Sequence, residues 1–349
     1  MSILTKIYNP REIKSQNGRE YYFDNLKFLL IFLVVLGHFA ELIMNKSIIA
    51  KTTWMIIYSF HMPLFIFVSG FFAKNAVRNK NFNKSIAFFI LYFCMKTVIF
   101  IVDKLCGANP NYNFTKINSI QWYIFAMGAW YLISIILRDA NRKIVFVLSI
   151  FLALIIGFDK NIGDIWGVSR ILVFYPFFLL GLNINQEPLL KITKNKFTKI
   201  FSIFYLIIFI LLFALFIDKV YLMRPILTGR NSYIALNNSI EEFGVLIRIG
   251  WYLVATVTGI CIMSLVPRCK TLISNLGQRT ISVYFYHAII IRILSQLDIS
   301  YRMYEGVILS ILCVLIFSIK YFSIPLEKIL KIKLFDKNNE ENKDIKTNL

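Results

Sequence analysis

Apolar runs of about twenty residues recur along the whole chain, and each is long enough to cross the hydrocarbon core of a bilayer. Inside hydrocarbon every backbone amide and carbonyl needs an internal partner, so such runs fold as helices. They read approximately as 24–44, 54–73, 85–103, 120–137, 144–158, 169–184, 200–217, 244–265, 283–297 and 305–324. Composition agrees: 58% of the 349 residues are hydrophobic and only 17% are charged, where a soluble domain carries about a quarter. The expected fold class is all-α, a polytopic membrane protein of about ten transmembrane helices. A cytoplasmic tail over 1–20, one membrane domain over 21–325 and a charged cytoplasmic tail over 326–349 would make up the chain.

The net charge of +20 is a topology signal before it is a binding signal. With the N-terminal tail placed inside, the alternating inside segments hold 24 of the 39 Lys and Arg residues and the outside segments nine. That bias follows the positive-inside rule and puts both termini in the cytoplasm of a cell-membrane protein. The same positions argue against nucleic acid and leave anionic lipid or a phosphorylated cofactor as secondary partners. No cleavable signal peptide stands out, so the first span is expected to remain as an anchor. Five cysteines without paired spacing suggest neither a disulfide framework nor a metal site.

Lys27 and His38 share the first apolar run with ten residues between them. Eleven steps of 100° bring His38 to within roughly 20° of Lys27, about 16 Å along the same helix face. Ionisable groups at membrane depth are costly and usually functional. His38 lies about 9 Å and His61 about 11 Å from the outer ends of two consecutive antiparallel spans, so the two reach similar depths. Pro63 follows His61 and should free the Ser59 carbonyl. Glu41, three residues after His38, either orients the imidazole or simply meets water at the interface. Arg170 and Arg248 open or close spans near the outside, and Lys96 and Arg292 sit too centrally to reach water easily. A cavity with cationic walls and histidines in the outer half accounts for all of them together. His287 reads as a packing or boundary residue. The stretch 218–243 is either a cover over an acceptor or a plain connection.

Several segments resemble the acyltransferase-3 family of membrane O-acyltransferases, most closely its fucose 4-O-acetylase-like branch. They are "GREYYFDNLKFLLIFLVVLGH", "HMPLFIFVSGFF", "WYIFAMGAWYLI", "SRILVFYPFFLLG" and "SVYFYH", spread over roughly 18–325. The resemblance implies that Lys27 and His38 are the family's basic residue and catalytic histidine. It carries His61, Ser69 and Gly70 with the second motif and places Arg170 at a frequently polar position. Many members pair two arginines at the start of the third helix, where they meet the donor's phosphates. Here Arg78, Lys80 and Lys84 stand in that region, and lysines bind phosphate without arginine's bidentate fork.

The implied reaction transfers an acetyl or other acyl group from acetyl-CoA to a hydroxyl of a cell-surface polysaccharide or its lipid-linked precursor. His38 would act as base, with Glu41 and His61 beside it and His61 donating a hydrogen bond to a substrate oxygen. Lys27, Arg78, Lys80 and Lys84 would hold the donor. Ser69, Trp122 or Arg170 would support the oxyanion or the acceptor. Membrane lipids and polysaccharide-synthesis machinery are the expected surroundings. No metal and no nucleic acid enter this scheme. The rival reading is a secondary transporter or glycan exporter, which also uses midplane charges and Pro-broken helices. A membrane sensor would leave the Lys27–His38 alignment unexplained.

Overall fold

The computed structural model describes residues 21–117, 120–236, 240–299 and 301–334. The described residues form helices and contain no β-strand; one isolated bridge joins Lys116 to Ile165. The long elements are α1 (Tyr21–Ile43), α2 (Ile48–Arg78), α3 (Phe82–Leu105), α4 (Trp122–Ile136), α5 (Arg142–Ile155), α6 (Val168–Asn183), α7 (Gln186–Lys194) and α8 (Lys196–Leu215). After the short α9 (Ile217–Tyr221) and α10 (Arg224–Leu227) come α11 (Gly244–Leu265), α12 (Thr280–Gln296), α13 (Met303–Phe317) and α14 (Lys320–Leu330).

Each of the ten expected segments falls on a helix. Five helical stretches are long and apolar enough to cross a membrane, or seven if each bent pair counts as one span. The pair α6 and α7 bends by 96° and the pair α13 and α14 by 64°. The segment expected at 305–324 is therefore broken rather than continuous. The break is stabilised from α12: Arg279 donates to the Ser318 carbonyl at 2.9 Å and Ser282 to the Phe317 carbonyl at 2.7 Å. Those bonds satisfy carbonyls that a helix end leaves without partners. The tail at 1–20 and the residues from 335 onward lie outside the described residues, as do Asn237 and Asn238 of the 218–243 stretch.

The exposed surface is apolar where lipid would meet it. Phe204, Ile207, Ile208 and Leu211 of α8 and Val147 and Phe151 of α5 are all exposed. Large exposed patches of this kind mark a surface made for something other than water. With the apolar helices, they define an integral membrane protein.

The tightest seam joins α2 to α6. A Cβ on Gly70 would overlap the Phe178 carbonyl, and one on Gly181 would overlap the Phe67 carbonyl. The two backbones therefore touch, as small residues permit between membrane helices. At the other end of α1, Asn25 locks the 267–274 connection. Its amide donates to the Pro267 and Cys269 carbonyls at 2.9 and 3.0 Å, and its oxygen accepts from Thr271 and Ser274 at 2.7 Å each.

The seam yields a test. Gly181→Val should push α6 off α2 and remove most folded protein, seen as loss of the monodisperse peak in detergent chromatography. Gly250→Ala, where a Cβ meets nothing within 4 Å, should leave the peak intact. Equal yields from both variants would show that the seam does not depend on close backbone approach.

Candidate functional site

A cavity of about 790 Å³ opens between α1, α2, α3, α6, α12 and the 217–236 segment. His38, Glu41, His61, Trp122 and Arg170 line it. Five of the ten residues singled out from sequence are thus gathered around one space. Ser69 is not: its hydroxyl donates to the Phe65 carbonyl at 2.8 Å and shares a 2.7 Å bond with the Tyr123 hydroxyl, behind the wall.

The centre of the site is a triangle. His38 Nδ1 lies 3.2 Å from Glu41 Oε2, and Tyr58 places its hydroxyl 2.8 Å from the same oxygen and 3.2 Å from the same nitrogen. An ionised carboxylate only accepts, so Nδ1 carries the proton and Nε2 keeps its lone pair. Glu41 is therefore a partner of the imidazole rather than an interfacial carboxylate. Tyr58 is held by its ring, stacked on Trp54 at 3.9 Å, and it lies 4.8 Å from the His61 ring.

His61 Nδ1 lies 2.7 Å from the Ile57 carbonyl. A carbonyl can only accept, so this nitrogen donates and Nε2 offers a lone pair. The expected donor role of neutral His61 toward substrate is corrected accordingly. Of the two readings of His287, packing or boundary, its position fits packing. It is fully buried, its ring lies 5.5 Å from that of His38, and its Nε2 has no partner. Its Nδ1 is used by the Val283 carbonyl at 2.9 Å.

The cationic wall exists, with structure of its own. Lys96 gives its protons to Tyr92 Oη at 3.0 Å, the Lys116 carbonyl at 2.9 Å and the Phe114 carbonyl at 3.4 Å. Arg292 grips Asp103 with two nitrogens, and Gln296 adds a bond to Asp103 at 3.1 Å. Arg230 pairs with Asp164. Arg170 stands over the Trp122 ring at 5.4 Å and reaches the Ile117 carbonyl at 3.4 Å. Arg248 is buried outside the cavity, donating to the Ala153 carbonyl at 2.8 Å and facing the Tyr233 ring at 4.6 Å. The 218–243 stretch is no plain connection: Arg224, Thr228, Arg230 and Asn231 from it line the cavity.

The residues expected to hold a donor lie elsewhere. Lys27 pairs with the buried Asp24 at 2.9 Å and stands over the Phe72 ring at 5.2 Å. Arg78 and Lys80 are exposed beside the turn between α2 and α3. Lys84 opens α3 and donates to the Leu330 carbonyl at 3.3 Å. These positions gather at the end of α2 remote from Trp54 and Tyr58.

Sequence reasoning missed Tyr58 and Asp103, and both had a legible signal. Trp54, Tyr58 and His61 follow helical spacing on one face, and Asp103 falls two turns after Lys96. Arg224 was visible only as one polar residue of the 218–243 stretch, with no pattern to place it in the cavity.

Residues 20–321 match the profile of a family described as an acyltransferase domain. The chain belongs to that family, the acyltransferase-3 family of membrane proteins. It is similar to nodulation protein NolL of Mesorhizobium japonicum, 26% identical over 188 residues, which is 49% of each chain. It is also similar to nodulation protein NolL of Sinorhizobium fredii, 36% identical over 75 residues, 20% of each chain. The chain thus spans about half the length of the first of these relatives. No solved structure matches it.

The Asp103–Arg292 clamp can be tested apart from any activity. Asp103→Ala strands a guanidinium and should cost about 2 kcal/mol, below the 3–5 of a fully buried pair because Arg292 is partly exposed. Asp103→Leu with Arg292→Leu should recover most of that loss. A double variant no more stable than Asp103→Ala in thermal unfolding would mean that the pair does more than neutralise charge.

Proposed function

We propose that this protein is a membrane O-acyltransferase that moves an acetyl group from acetyl-CoA to a hydroxyl of a cell-surface polysaccharide or its lipid-linked precursor. The observation that carries the reading is the His38–Glu41–Tyr58 triangle in the wall of a large cavity, in a chain of the acyltransferase-3 family. Ten crossings with both termini in the cytoplasm of the cell membrane complete the proposal. They place the Arg78–Lys84 turn inside and the cavity toward the outer half.

His38 Nε2 takes the proton of the acceptor hydroxyl as its oxygen attacks the thioester carbonyl. Glu41, against Nδ1–H, holds the ring in that tautomer and stabilises the imidazolium that forms. The tetrahedral oxyanion then collapses, the carbon–sulfur bond breaks, and the imidazolium returns its proton to the departing thiolate. Trp122 Nε1–H and the Arg170 guanidinium are the donors on the wall suited to the oxyanion or to the acceptor. Ser69, behind Tyr123, drops out of that role. His61 Nε2 accepts a hydrogen bond from a second substrate hydroxyl. Arg78, Lys80 and Lys84 attract the donor's phosphates, and Lys27, already facing Asp24, orders the face along which the acyl arm runs.

His38→Ala should cut transfer by at least about 100-fold while insertion and folded yield stay near wild type, the scale of losing a general base. Turnover above about a tenth of wild type, measured with purified protein and radiolabelled acetyl-CoA, would end the assignment. The donor site is probed separately. Neutralising Arg78, Lys80 and Lys84 together should raise KM for acetyl-CoA several-fold and flatten its dependence on salt. An unchanged KM would leave these cations with topology alone.

A further inference from the structure

Six cations line the cavity: Lys96, Lys116, Arg170, Arg224, Arg230 and Arg292. Three are committed, Lys96 to carbonyls and a hydroxyl, Arg292 to Asp103 and Arg230 to Asp164. Lys116 is exposed. Arg170 and Arg224 are different, because neither forms an ion pair with a carboxylate among the described residues. Arg170 is only 6% exposed, and its neutral partner is one carbonyl at 3.4 Å. Among the described residues Arg224 donates to the Tyr221 hydroxyl at 3.1 Å and lies 5.7 Å from that ring. Glu41 and Asp164 act on Arg224 and Arg170 through space, but neither carboxylate touches them. Taking a guanidinium out of water without a carboxylate in direct contact is costly. An anionic ligand in the cavity would supply that contact.

Both guanidinium groups are mounted in the same way. Arg170 lies over Trp122 at 5.4 Å and Arg224 over Trp54 at 5.3 Å. Such a contact spends none of the N–H donors, and each guanidinium gives its Nη1 to a neutral acceptor and has further N–H groups to offer. Those groups belong to the fork that grips carboxylate or phosphate with two parallel bonds. The Trp54 ring also stacks on Tyr58, whose hydroxyl meets Glu41 and His38. Arg224 therefore stands two rings away from the proposed base.

We propose that Arg170 and Arg224 form an anion subsite for the acceptor, and that the acceptor glycan carries a phosphate or carboxylate close to the hydroxyl that is acylated. This deepens the acyltransferase reading and rests on it. The donor's phosphates are the other source of such an anion. They are disfavoured because Arg78 ends α2 while Trp54, under Arg224, lies 24 residues earlier on the same helix, roughly 36 Å away by helical rise. One phosphate group cannot reach both ends.

The test uses the full chain in lipid nanodiscs and isothermal titration calorimetry. The probes are a galacturonic acid trisaccharide, its neutral methyl ester, inorganic pyrophosphate and coenzyme A. Wild type should bind the acid trisaccharide or pyrophosphate, and bind the acid more tightly than the ester. Arg170→Gln with Arg224→Gln should weaken anion binding at least tenfold and leave coenzyme A affinity unchanged. Arg170→Lys with Arg224→Lys should restore part of the loss. Should the double glutamine variant fail to fold, Arg224→Gln alone, in the half-buried α10, reads the same effect. Equal anion affinity in wild type and variant overturns the subsite, as does equal affinity for acid and ester. A loss confined to coenzyme A reassigns the pair to the donor and overturns it too. His38-dependent thiol release from acetyl-CoA is followed in parallel. If that release is absent while anion binding behaves as stated, the acyltransferase reading fails and the subsite stands.

Discussion

The position of α2 depends on one carbonyl. Pro63 cannot donate to Ser59, and the indole of Trp251 on α11 supplies the missing hydrogen at 2.8 Å. At membrane depth an unmet carbonyl costs several kcal/mol, so this bond is a strong constraint between two helices far apart in sequence. It lies beside the face that presents Trp54, Tyr58 and His61. About three turns further along, the Gly70 and Gly181 contacts fix the same helix against α6. The cavity wall is thus built on a helix held from two sides, which lets a rigid triangle form at His38.

Charge is handled by pairing wherever the fold can close on itself. Asp24 meets Lys27, Asp103 meets Arg292, and Asp164 meets Arg230. Each of these pairs turns a costly buried ion into a local clamp. Among the described residues, Arg170 and Arg224 in the cavity wall have no carboxylate in direct contact, and His287 keeps an unmet Nε2 beside His38. Arg248, outside the cavity, is also buried without a carboxylate, but it is met by the Ala153 carbonyl and the Tyr233 ring.

Much of this was legible in the sequence, for physical reasons. Apolar runs gave the ten segments that fall on helices, because hydrocarbon leaves the backbone no other choice. Helix geometry gave the Lys27–His38 alignment, and proline chemistry gave the freed Ser59 carbonyl. What escaped was partnership across elements. Nothing in α3 says that Asp103 will meet Arg292 of α12, and nothing in the 218–243 stretch says that Arg224 will lie on Trp54. His287 was read as a packing or boundary residue, and its nearness to His38 was not legible because the two come from different helices. The bend after Phe317 was hidden too, since the apolar run expected at 305–324 continues across it.

The central claim is that the cavity around His38 acylates a surface glycan. Mass analysis of surface polysaccharide tests it most directly, in cells lacking the protein and in the same cells carrying wild type or His38→Ala. Acyl groups that vanish with the deletion, return with wild type and stay absent with His38→Ala are the expected result. Unchanged acylation with polysaccharide trapped inside the cell would contradict it and point to export.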